Sequence, residues 1–532
     1  MTDRFARTDG STTSPCNTTE GIYCGGTWRG TIDHLDYIQG MGFDAVMISP
    51  IIENIAGRAS YGEAYHGYWP LDLYSLNSHF GTSQDLLSLS EALHSRGMYL
   101  LMDTVINNMA YMTNGSDPAT HVDYSVFTPF NNSDYFHAAC NITDWDNFTN
   151  AQLCQTGDWE VALPDLFTEH IDVQTLLETW AQDIIKKYSV DGLRVDAAKH
   201  VSPGFLKNFG HAVGGFMTGE VYQREVSIIC DYQENYIGSV PNYPVYFSIL
   251  EAFTKGNTSS LALKVEEMKN SCPDVTALVS FSENHDLARI AGLTEDISVS
   301  IPYPNAFDYL PSLIELLLLK IAKNTLTFTI LFDGIPMIYQ GQEQHFNGTG
   351  QPENREAVWL SSYNNGTELY HLIATLNRIR KHAYSLDPGY LDLPTRTVFQ
   401  GGSELGFYKG VEGRQVLMLL STQGINGGSY PVGMPVSFNA GTAVTEVLGC
   451  TAYEVDDVGQ LTVNMAKGEP RVFFPSHLME GSGLCGYSSK NVSYTQLVTG
   501  QSVSLGAKNK GPGDHTMWGL VMLTFMTSLM IF

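Results

Sequence analysis

Three acidic side chains occur where short, apolar, strand-like segments of the chain end. Asp196, Glu220 and Asp286 each follow or terminate such a segment, at the point where a loop towards a helix would begin. In a (β/α)8 barrel all of these strand ends open onto one face, so residues far apart in sequence converge there. Converging carboxylates, one ionised and one protonated, can perform retaining glycoside hydrolysis. A single strand-end aspartate is more often structural or a helix cap, so the prediction depends on all three.

The elements that would position these residues alternate as a barrel requires. Residues 44–49 read as a buried parallel strand, and the apolar spacing over 32–38 predicts a helix before it. Another helix is predicted over 83–94 and a strand over 99–102, and helical periodicity returns over 176–185.

Two stretches depart from this alternation. Residues 110–162 are polar and rich in Asn, Asp, Thr and aromatic residues, and they are too long for a plain loop, which indicates an inserted subdomain. Beyond about residue 385, apolar runs such as 415–420 and 442–447 alternate with glycines, which predicts an antiparallel β-sandwich. The predicted fold class is therefore α/β, a (β/α)8 TIM barrel with an insertion and a C-terminal β-sandwich.

Six short segments match one known family in order and spacing. They are residues 65–69 (YHGYW), 103–108 (DTVINN), 192–200 (GLRVDAAKH), 219–221 (GEV), 281–286 (FSENHD) and 341–345 (GQEQH). From Thr2 to about residue 486 the chain resembles the α-amylase family, especially secreted fungal α-amylases and their lipid-anchored relatives. The resemblance implies six regions: barrel 1–108, inserted domain B 109–165, barrel 166–385, β-sandwich domain C 386–486, Ser/Gly-rich linker 487–516 and apolar tail 517–532.

The resemblance also implies a role for each residue of the site. Asp196 would be the nucleophile, Glu220 the general acid/base and Asp286 the carboxylate that stabilises the transition state. Arg194, two residues before Asp196 on the same strand face, would favour the ionised nucleophile. The residues expected to bind the substrate are His66, Tyr68, Trp69, Asn108, Arg194, Lys199, His200, His285 and Arg355.

Three departures from the family pattern fall in the sugar-binding surroundings, and the third of them covers two adjacent residues. Asn108 stands where the family usually has His, and Gln351 stands where it has an acidic residue. Tyr222 and Gln223 follow the acid/base where the secreted enzymes usually carry Leu and Asp. These changes leave the three carboxylates in place and suggest an altered acceptor preference.

A calcium ion is the cofactor that the resemblance implies. Its expected ligands are Asn107, Gln152, Asp165 and the backbone carbonyl of His200. Oxygen ligands suit Ca²⁺, but the family often has Glu at the position of Gln152, and one fewer negative ligand should weaken binding. The alternative for Asp165 is a turn aspartate that follows a proline.

The cysteines and glycosylation sequons indicate an oxidising, secretory compartment. The eight cysteines contain no Cys-x-x-Cys pair, and this spacing argues against a zinc site. The resemblance pairs Cys16 with Cys24, Cys140 with Cys154, Cys230 with Cys272, and Cys450 with Cys485. The sequons begin at Asn17, Asn114, Asn131, Asn141, Asn147, Asn257, Asn347, Asn365 and Asn491.

The charge of the chain bounds its partners. Lys and Arg total 29 against 56 Asp and Glu, giving a formal charge of −27 that repels nucleic acid and anionic membranes. An ordinary acidic secreted protein would have the same balance. We expect a monomer that acts on a neutral α-glucan such as starch, maltooligosaccharides or cell-wall glucan.

Both termini carry expectations about location. The apolar tail after a polar spacer predicts a cleaved glycosylphosphatidylinositol (GPI) signal, with attachment at Asn509 or, alternatively, Ser504 or Gly506. A tail-anchored helix is the other reading. The start lacks a signal peptide and resembles the end of the first barrel strand, which suggests a truncated chain or a variant without this segment. The expected location is extracellular, anchored at the plasma membrane or cell wall.

Three functions remain open at this stage. The first is hydrolysis of α-1,4-glucans, and the second is 4-α-glucanotransfer, which shares the first half-reaction. The third is an inactive glucan-binding protein, against which the three intact carboxylates argue.

Overall fold

The computed structural model describes residues 1–293, 311–424, 428–489 and 530–531. The α-helices are α1 Thr2–Phe5, α2 Trp28–Asp33, α3 Leu35–Gly40, α4 Ser83–Ser95, α5 Pro118–His121, α6 Phe148–Leu153, α7 Ile171–Tyr188, α8 Pro203–Val213, α9 Val226–Asn235, α10 Tyr243–Lys255, α11 Thr258–Ser271, α12 Pro311–Leu331, α13 Glu368–Leu386 and α14 Gly389–Asp392. The strands are β1 Ala45–Ile48, β2 Ile52–Asn54, β3 Pro70–Leu76, β4 Tyr99–Thr104, β5 Tyr111–Met112, β6 Val161–Ala162, β7 Gly192–Val195, β8 Phe216–Gly219, β9 Val279–Ser280, β10 Ile335–Ile338, β11 Arg396–Gln400, β12 Glu404–Lys409, β13 Val416–Ser421, β14 Ser429–Pro435, β15 Ala443–Glu446, β16 Thr451–Glu454, β17 Gln460–Ala466, β18 Arg471–Pro475 and β19 Met530–Ile531.

A parallel sheet curls into a closed barrel. Its strands lie in the order β8, β7, β4, β1, β19, β10 and β9. Residues 239–241 close the ring, because Gly219 N donates to Ser239 O at 3.0 Å and Val279 N donates to Val240 O at 3.1 Å. The predicted (β/α)8 barrel is confirmed, and its strand ends share one face, as the grouping of the three carboxylates requires.

The strand between β1 and β10 comes from the far end of the sequence. Met530 pairs in parallel register with Ala45 on one side and with Met337 on the other. The rest of the apolar tail, the Ser/Gly-rich linker from residue 490 onwards and the three candidate attachment residues lie outside the described residues. Within the described ranges, no helix combines the length and the hydropathy needed to cross a membrane.

Local sequence explains the helices that flank the barrel. Helix α4 begins at a capping box, in which Thr82 accepts from Asp85 N and the Asp85 side chain accepts from Thr82 N. Helix α7 buries an apolar stripe that includes Leu177 and Trp180. The Trp180 indole also donates to Leu73 O at 2.7 Å, which satisfies its polar atom inside the core.

One predicted helix is wrong in detail. The segment expected to form a single helix over 32–38 contains two helices, α2 and α3, which meet at His34. His34 has φ −118° and ψ 16°, and its ring stacks on Tyr363 with centroids 3.6 Å apart. A tertiary contact therefore outweighs the continuous apolar spacing that predicted one helix.

The insertion and the C-terminal sandwich also occur as expected. Strands β5 and β6 pair in the segment between β4 and α7. After α14, a six-stranded antiparallel sheet (β11, β12, β13, β18, β15, β16) faces the β14–β17 pair. Leu417, Val463 and Phe473 are buried in the shared core. The domain boundaries themselves stay predictions.

Disulfides link cysteines within single parts of the fold, and a buried ion pair joins the barrel to the sandwich. All eight cysteines are paired as the resemblance implied: Cys16–Cys24, Cys140–Cys154, Cys230–Cys272 and Cys450–Cys485. Between barrel and sandwich, Lys409 Nζ donates to Asp333 Oδ1 at 2.7 Å, and both side chains are almost fully buried. Thr395 N and Oγ1 also donate to Asp333, so this buried carboxylate is fully partnered.

Candidate active site

The three predicted carboxylates follow strands of the barrel and meet at its C-terminal face. Asp196 directly follows β7, Glu220 directly follows β8, and Asp286 ends the loop after β9. Arg194 lies on β7 with its side chain 8% exposed, and its guanidinium reaches two of these carboxylates. The parallel order of the strands therefore converts three distant sequence positions into one site.

Arg194 bridges Asp196 and Glu220. One terminal nitrogen (Nη1) contacts Asp196 Oδ1 at 2.6 Å, and the other (Nη2) lies 3.0 Å from Glu220 Oε2. Ala197 N also donates to Glu220 Oε2 at 3.1 Å. One guanidinium therefore holds the two carboxylates side by side.

Asp103 at the end of β4 is a site residue that the sequence reasoning did not select. Its two oxygens accept from Arg194 Nη1 at 2.9 and 2.8 Å, and Tyr68 OH donates to Oδ2 at 2.7 Å. Its signal was present, because Asp103 opens the matched segment 103–108 at a strand end. Asp103 therefore fixes the orientation of the Arg194 guanidinium.

Two histidines and a tyrosine lie next to this network. Tyr68 OH lies 2.8 Å from His285 Nε2, and His66 stacks on the Tyr68 ring with centroids 5.5 Å apart. The pKa of each histidine is lowered well below its usual value, first by burial and then by Arg355. Neutral imidazoles can both donate to and accept from sugar hydroxyls. Trp69, 8% exposed, meets His66 edge-on at 4.9 Å.

Asp286 is held by donors from another loop. Gln351 Nε2 donates to its Oδ1 at 2.7 Å, and Arg355 Nη2 donates to the same oxygen at 3.2 Å. Arg355 Nε also donates to His285 O at 2.9 Å. The sequence analysis named Gln351 only as a departure from the family pattern, and it did not reveal this contact with Asp286.

Burial and neighbouring charges set the ionisation of the site. Burial raises the pKa of Asp196, and the Arg194 guanidinium opposes this by favouring the charged form. Burial, followed by the charge of Glu220, raises the pKa of Asp286 to about 6, whereas Arg355 lowers it. A carboxylate that must be charged for catalysis therefore depends on the two arginines.

A cavity of about 500 Å³ opens beside Asp286, which is the one carboxylate of the three that lines it. Its lining includes His66, Tyr68, Trp69, Asp286 and Arg355, so predicted substrate residues share one wall with the site. A larger groove of about 680 Å³ lies between α9 and α11, but none of the three carboxylates lines it. The first cavity is therefore the candidate substrate cleft.

Comparisons with known proteins agree with this geometry. Residues 1–367 match the family model described as the α-amylase catalytic domain, and residues 397–493 match that of α-amylase domain C. The chain belongs to the α-amylase family. It is 42% identical over 487 residues to α-amylase 1 of Schwanniomyces occidentalis, covering 91% of this chain and 90% of that protein.

Other relatives point the same way. The α-amylase of Saccharomycopsis fibuligera is 40% identical, with 90% of each chain covered. The solved α-amylase of Malbranchea cinnamomea has a TM-score of 0.83 and 43% identity, covering 91% of this chain and 97% of that one. The chain is thus an α-glycoside hydrolase of the α-amylase family that acts on α-1,4-glucans.

Some residues that are predicted to bind the substrate do not form side-chain hydrogen bonds with Asp196, Glu220 or Asp286. Lys199 Nζ donates to Trp145 O at 2.7 Å, and His200 Nδ1 lies 2.8 Å from Ala151 O, both towards the inserted segment. Asn108 is 3% exposed, and its amide donates to Met109 O at 3.3 Å. Their roles in binding sugars stay predictions.

Two of the four predicted calcium ligands, Asn107 and Asp165, contact each other. Asn107 Nδ2 donates to Asp165 Oδ1 at 3.1 Å, and Gln152 Nε2 donates to Lys199 O, next to His200, at 3.4 Å. His137 Nδ1 occupies the second oxygen of Asp165 at 2.7 Å. Across the described ranges, no group of three or more His, Cys, Asp or Glu could hold a metal.

Proposed function

We propose that Asp196, Glu220 and Asp286 hydrolyse α-1,4-glucans with retention of the anomeric configuration. The observation that carries this proposal is the single guanidinium of Arg194 between Asp196 and Glu220, at 2.6 and 3.0 Å. It keeps the two groups adjacent, which allows direct attack by one while the other transfers a proton.

The reaction proceeds in two displacements. Asp196 attacks the anomeric carbon, the glycosidic C–O bond breaks, and Glu220 gives its proton to the departing oxygen. Glu220 then takes a proton from water, the water oxygen bonds to the anomeric carbon, and the ester bond to Asp196 breaks. Asp286 stabilises the positive charge that develops on the sugar ring.

The walls of the cleft orient the sugar for these steps. His66 and His285 are neutral and bind hydroxyls of the reacting glucosyl unit, while Tyr68 lies beneath its ring. Trp69 packs against the next unit. Arg194, Arg355, Lys199, His200 and Asn108 complete the binding surface in this proposal.

The anomeric form of the first product tests the mechanism. In freshly quenched digests of maltopentaose, proton NMR should show the α-anomer before mutarotation. Asp196→Asn and Glu220→Gln should each reduce turnover by at least about 10²–10⁴-fold with unchanged folding. An initial β-anomer, or retention of a tenth of the activity by a folded Asp196→Asn variant, would contradict the assignment.

A weakly bound calcium ion belongs to this proposal. The four candidate ligands, Asn107, Gln152, Asp165 and the His200 carbonyl, all offer oxygen, which suits Ca²⁺. Only one of them is a carboxylate, and burial raises its pKa to about 7. The ion would link the inserted segment to the barrel, and the carboxylates would perform the chemistry.

The location of the enzyme follows from its disulfides and sequons. Four disulfides suit an extracellular enzyme. The finer proposal is a monomeric glycoprotein, held at the plasma membrane or cell wall by a GPI anchor that replaces the apolar tail. Cleavage would remove Met530 and Ile531, so the mature barrel would lack the pairing of β19 with β1 and β10. Its partner is the glucan, and its formal charge of −27 disfavours nucleic acid.

A further inference from the structure

Gln351 makes a direct contact with a carboxylate of the site. Its Nε2 donates to Asp286 Oδ1 at 2.7 Å, shorter than the 3.2 Å contact that Arg355 makes with the same oxygen. The other oxygen of Asp286 lies 3.2 Å from His285 Nε2. Three nitrogen atoms from two loops therefore surround this carboxylate, and one of them belongs to an uncharged amide.

Hydrogen bonds of neighbouring residues hold the turn that carries Gln351, although the Gln351 side chain is exposed. Asn354 Nδ2 donates to the carbonyls of His285 at 2.9 Å and Leu287 at 2.8 Å. Arg289 N donates to Gly348 O at 3.0 Å. These hydrogen bonds join the turn that carries Gln351 to the loop that carries Asp286, so the two side chains keep their relative position.

Gln351 also lines the candidate substrate cleft. It lines the cavity of about 500 Å³ together with His66, Trp69 and Asp286. A carboxamide has a second N–H and an oxygen besides the N–H given to Asp286. The same side chain can therefore hold the carboxylate and meet a sugar hydroxyl at the wall of the cleft.

We propose that Gln351 is a positioning residue for Asp286. The neutral amide of Gln351 directs Oδ1 of Asp286 into the cleft and brings no second negative charge to it. This inference rests on the role of Asp286 in the proposed function. It goes further by assigning to Gln351 the working pH range of the enzyme on the acid side.

The uncharged state of Gln351 matters because the surroundings of Asp286 already disfavour its ionised form. Burial and the charge of Glu220 raise the pKa of Asp286 to about 6, against the lowering effect of Arg355 and Arg194. A carboxylate at the position of Gln351 would add like-charge repulsion at contact distance, and one of the two groups would have to hold a proton. Asp286 works only while ionised. As the pH falls, activity would therefore begin to be lost at a higher pH than in the wild type.

The test compares Gln351→Glu and Gln351→Met by the pH profile of kcat/KM on maltopentaose. The Glu variant should move the acid limb up by about one pH unit or more and recover activity on the alkaline side. The Met variant has a similar length but no donor, and it should lower kcat by about tenfold with little change in KM. Thermal melting should match the wild type for both, because the side chain is exposed.

Glu353→Gln is the matched control, because it changes the charge of the same turn by one unit. It should leave the acid limb in place. If the acid limb of a folded Gln351→Glu enzyme coincides with that of the wild type, the inference is overturned.

Asp286→Asn separates this inference from the proposed function. If Asp286→Asn is inactive and the pH profile of Gln351→Glu is not shifted, only the role proposed for Gln351 is rejected. Substantial turnover by Asp286→Asn removes the role of Asp286, and the inference with it.

Discussion

Replacement of Arg194 by Met should shift the pH dependence of the enzyme and slow it at every pH. The guanidinium contacts Asp196 at 2.6 Å and Glu220 at 3.0 Å, and it also holds both oxygens of Asp103. Opposite charges about 4 Å apart attract by about 4 kcal/mol at an effective dielectric constant of about 20. That energy corresponds to about three pKa units, which is an upper bound because the loop can relax and admit water.

The sign of the shift follows from the charge that is lost. Arg194 favours the ionised form of Asp196, so its removal raises the pKa of this carboxylate. Activity requires the ionised nucleophile and disappears as the pH falls through that pKa, so the acid limb should move up by about one to two pH units. The maximum of kcat/KM should also fall by about 10²–10³-fold, because the carboxylates lose their common anchor.

The assay is the pH profile of kcat/KM on maltopentaose for Arg194→Met and Arg194→Lys. Lys keeps the charge without the fork that bridges two carboxylates, so it should preserve much of the acid limb and still lose rate. Breaking the buried pair with Asp103 should cost about 3–5 kcal/mol, so activity must be measured well below the melting temperature of each variant. Arg96→Met, which breaks a surface pair with Asp36, should change neither property. An unshifted acid limb in folded Arg194→Met enzyme would refute the reasoning.

Four further outcomes are expected. Calcium should raise the melting temperature and Gln152→Glu should tighten its binding, whereas unchanged melting in chelator would count against the site. Lys409→Met should destabilise the fold by about 3–5 kcal/mol in denaturant titrations, because Asp333 keeps its buried charge without a cation. Joint replacement of Cys230 and Cys272 by Ser opens a loop with a separation of 42 residues and should cost about 4 kcal/mol, measured by the same titrations. Phosphatidylinositol-specific phospholipase C should release the enzyme from membranes, and recovery of the intact apolar tail from the mature protein would exclude the lipid anchor.

The sequence was sufficient to predict which three carboxylates meet at one face of the barrel. Asp196, Glu220 and Asp286 each lie beside a strand-like apolar run, and in a barrel the strand end alone determines which face such a residue reaches. Local spacing also predicted α4 and β4 closely, since caps and periodicity act within a few residues. The family resemblance supplied the cysteine pairing that local patterns could not.

Local patterns failed where a distant side chain intervened. The apolar spacing over 32–38 predicted one helix, yet the ring of His34 stacks on Tyr363, more than three hundred residues away in the chain, and the helix breaks there. The order of the barrel strands was equally hidden, since β19 pairs with β1 and β10 from the far end of the sequence.

Only the tertiary structure revealed what holds the carboxylates in place. Asp103 lies 91 positions from Arg194, and Gln351 lies 65 positions from Asp286. Such contacts depend on how the barrel closes and on which loops hydrogen-bond to each other, and neither follows from the spacing of residues along the chain. The convergence of the three carboxylates could therefore be predicted from local motifs, whereas the groups that contact them were determined by packing between loops.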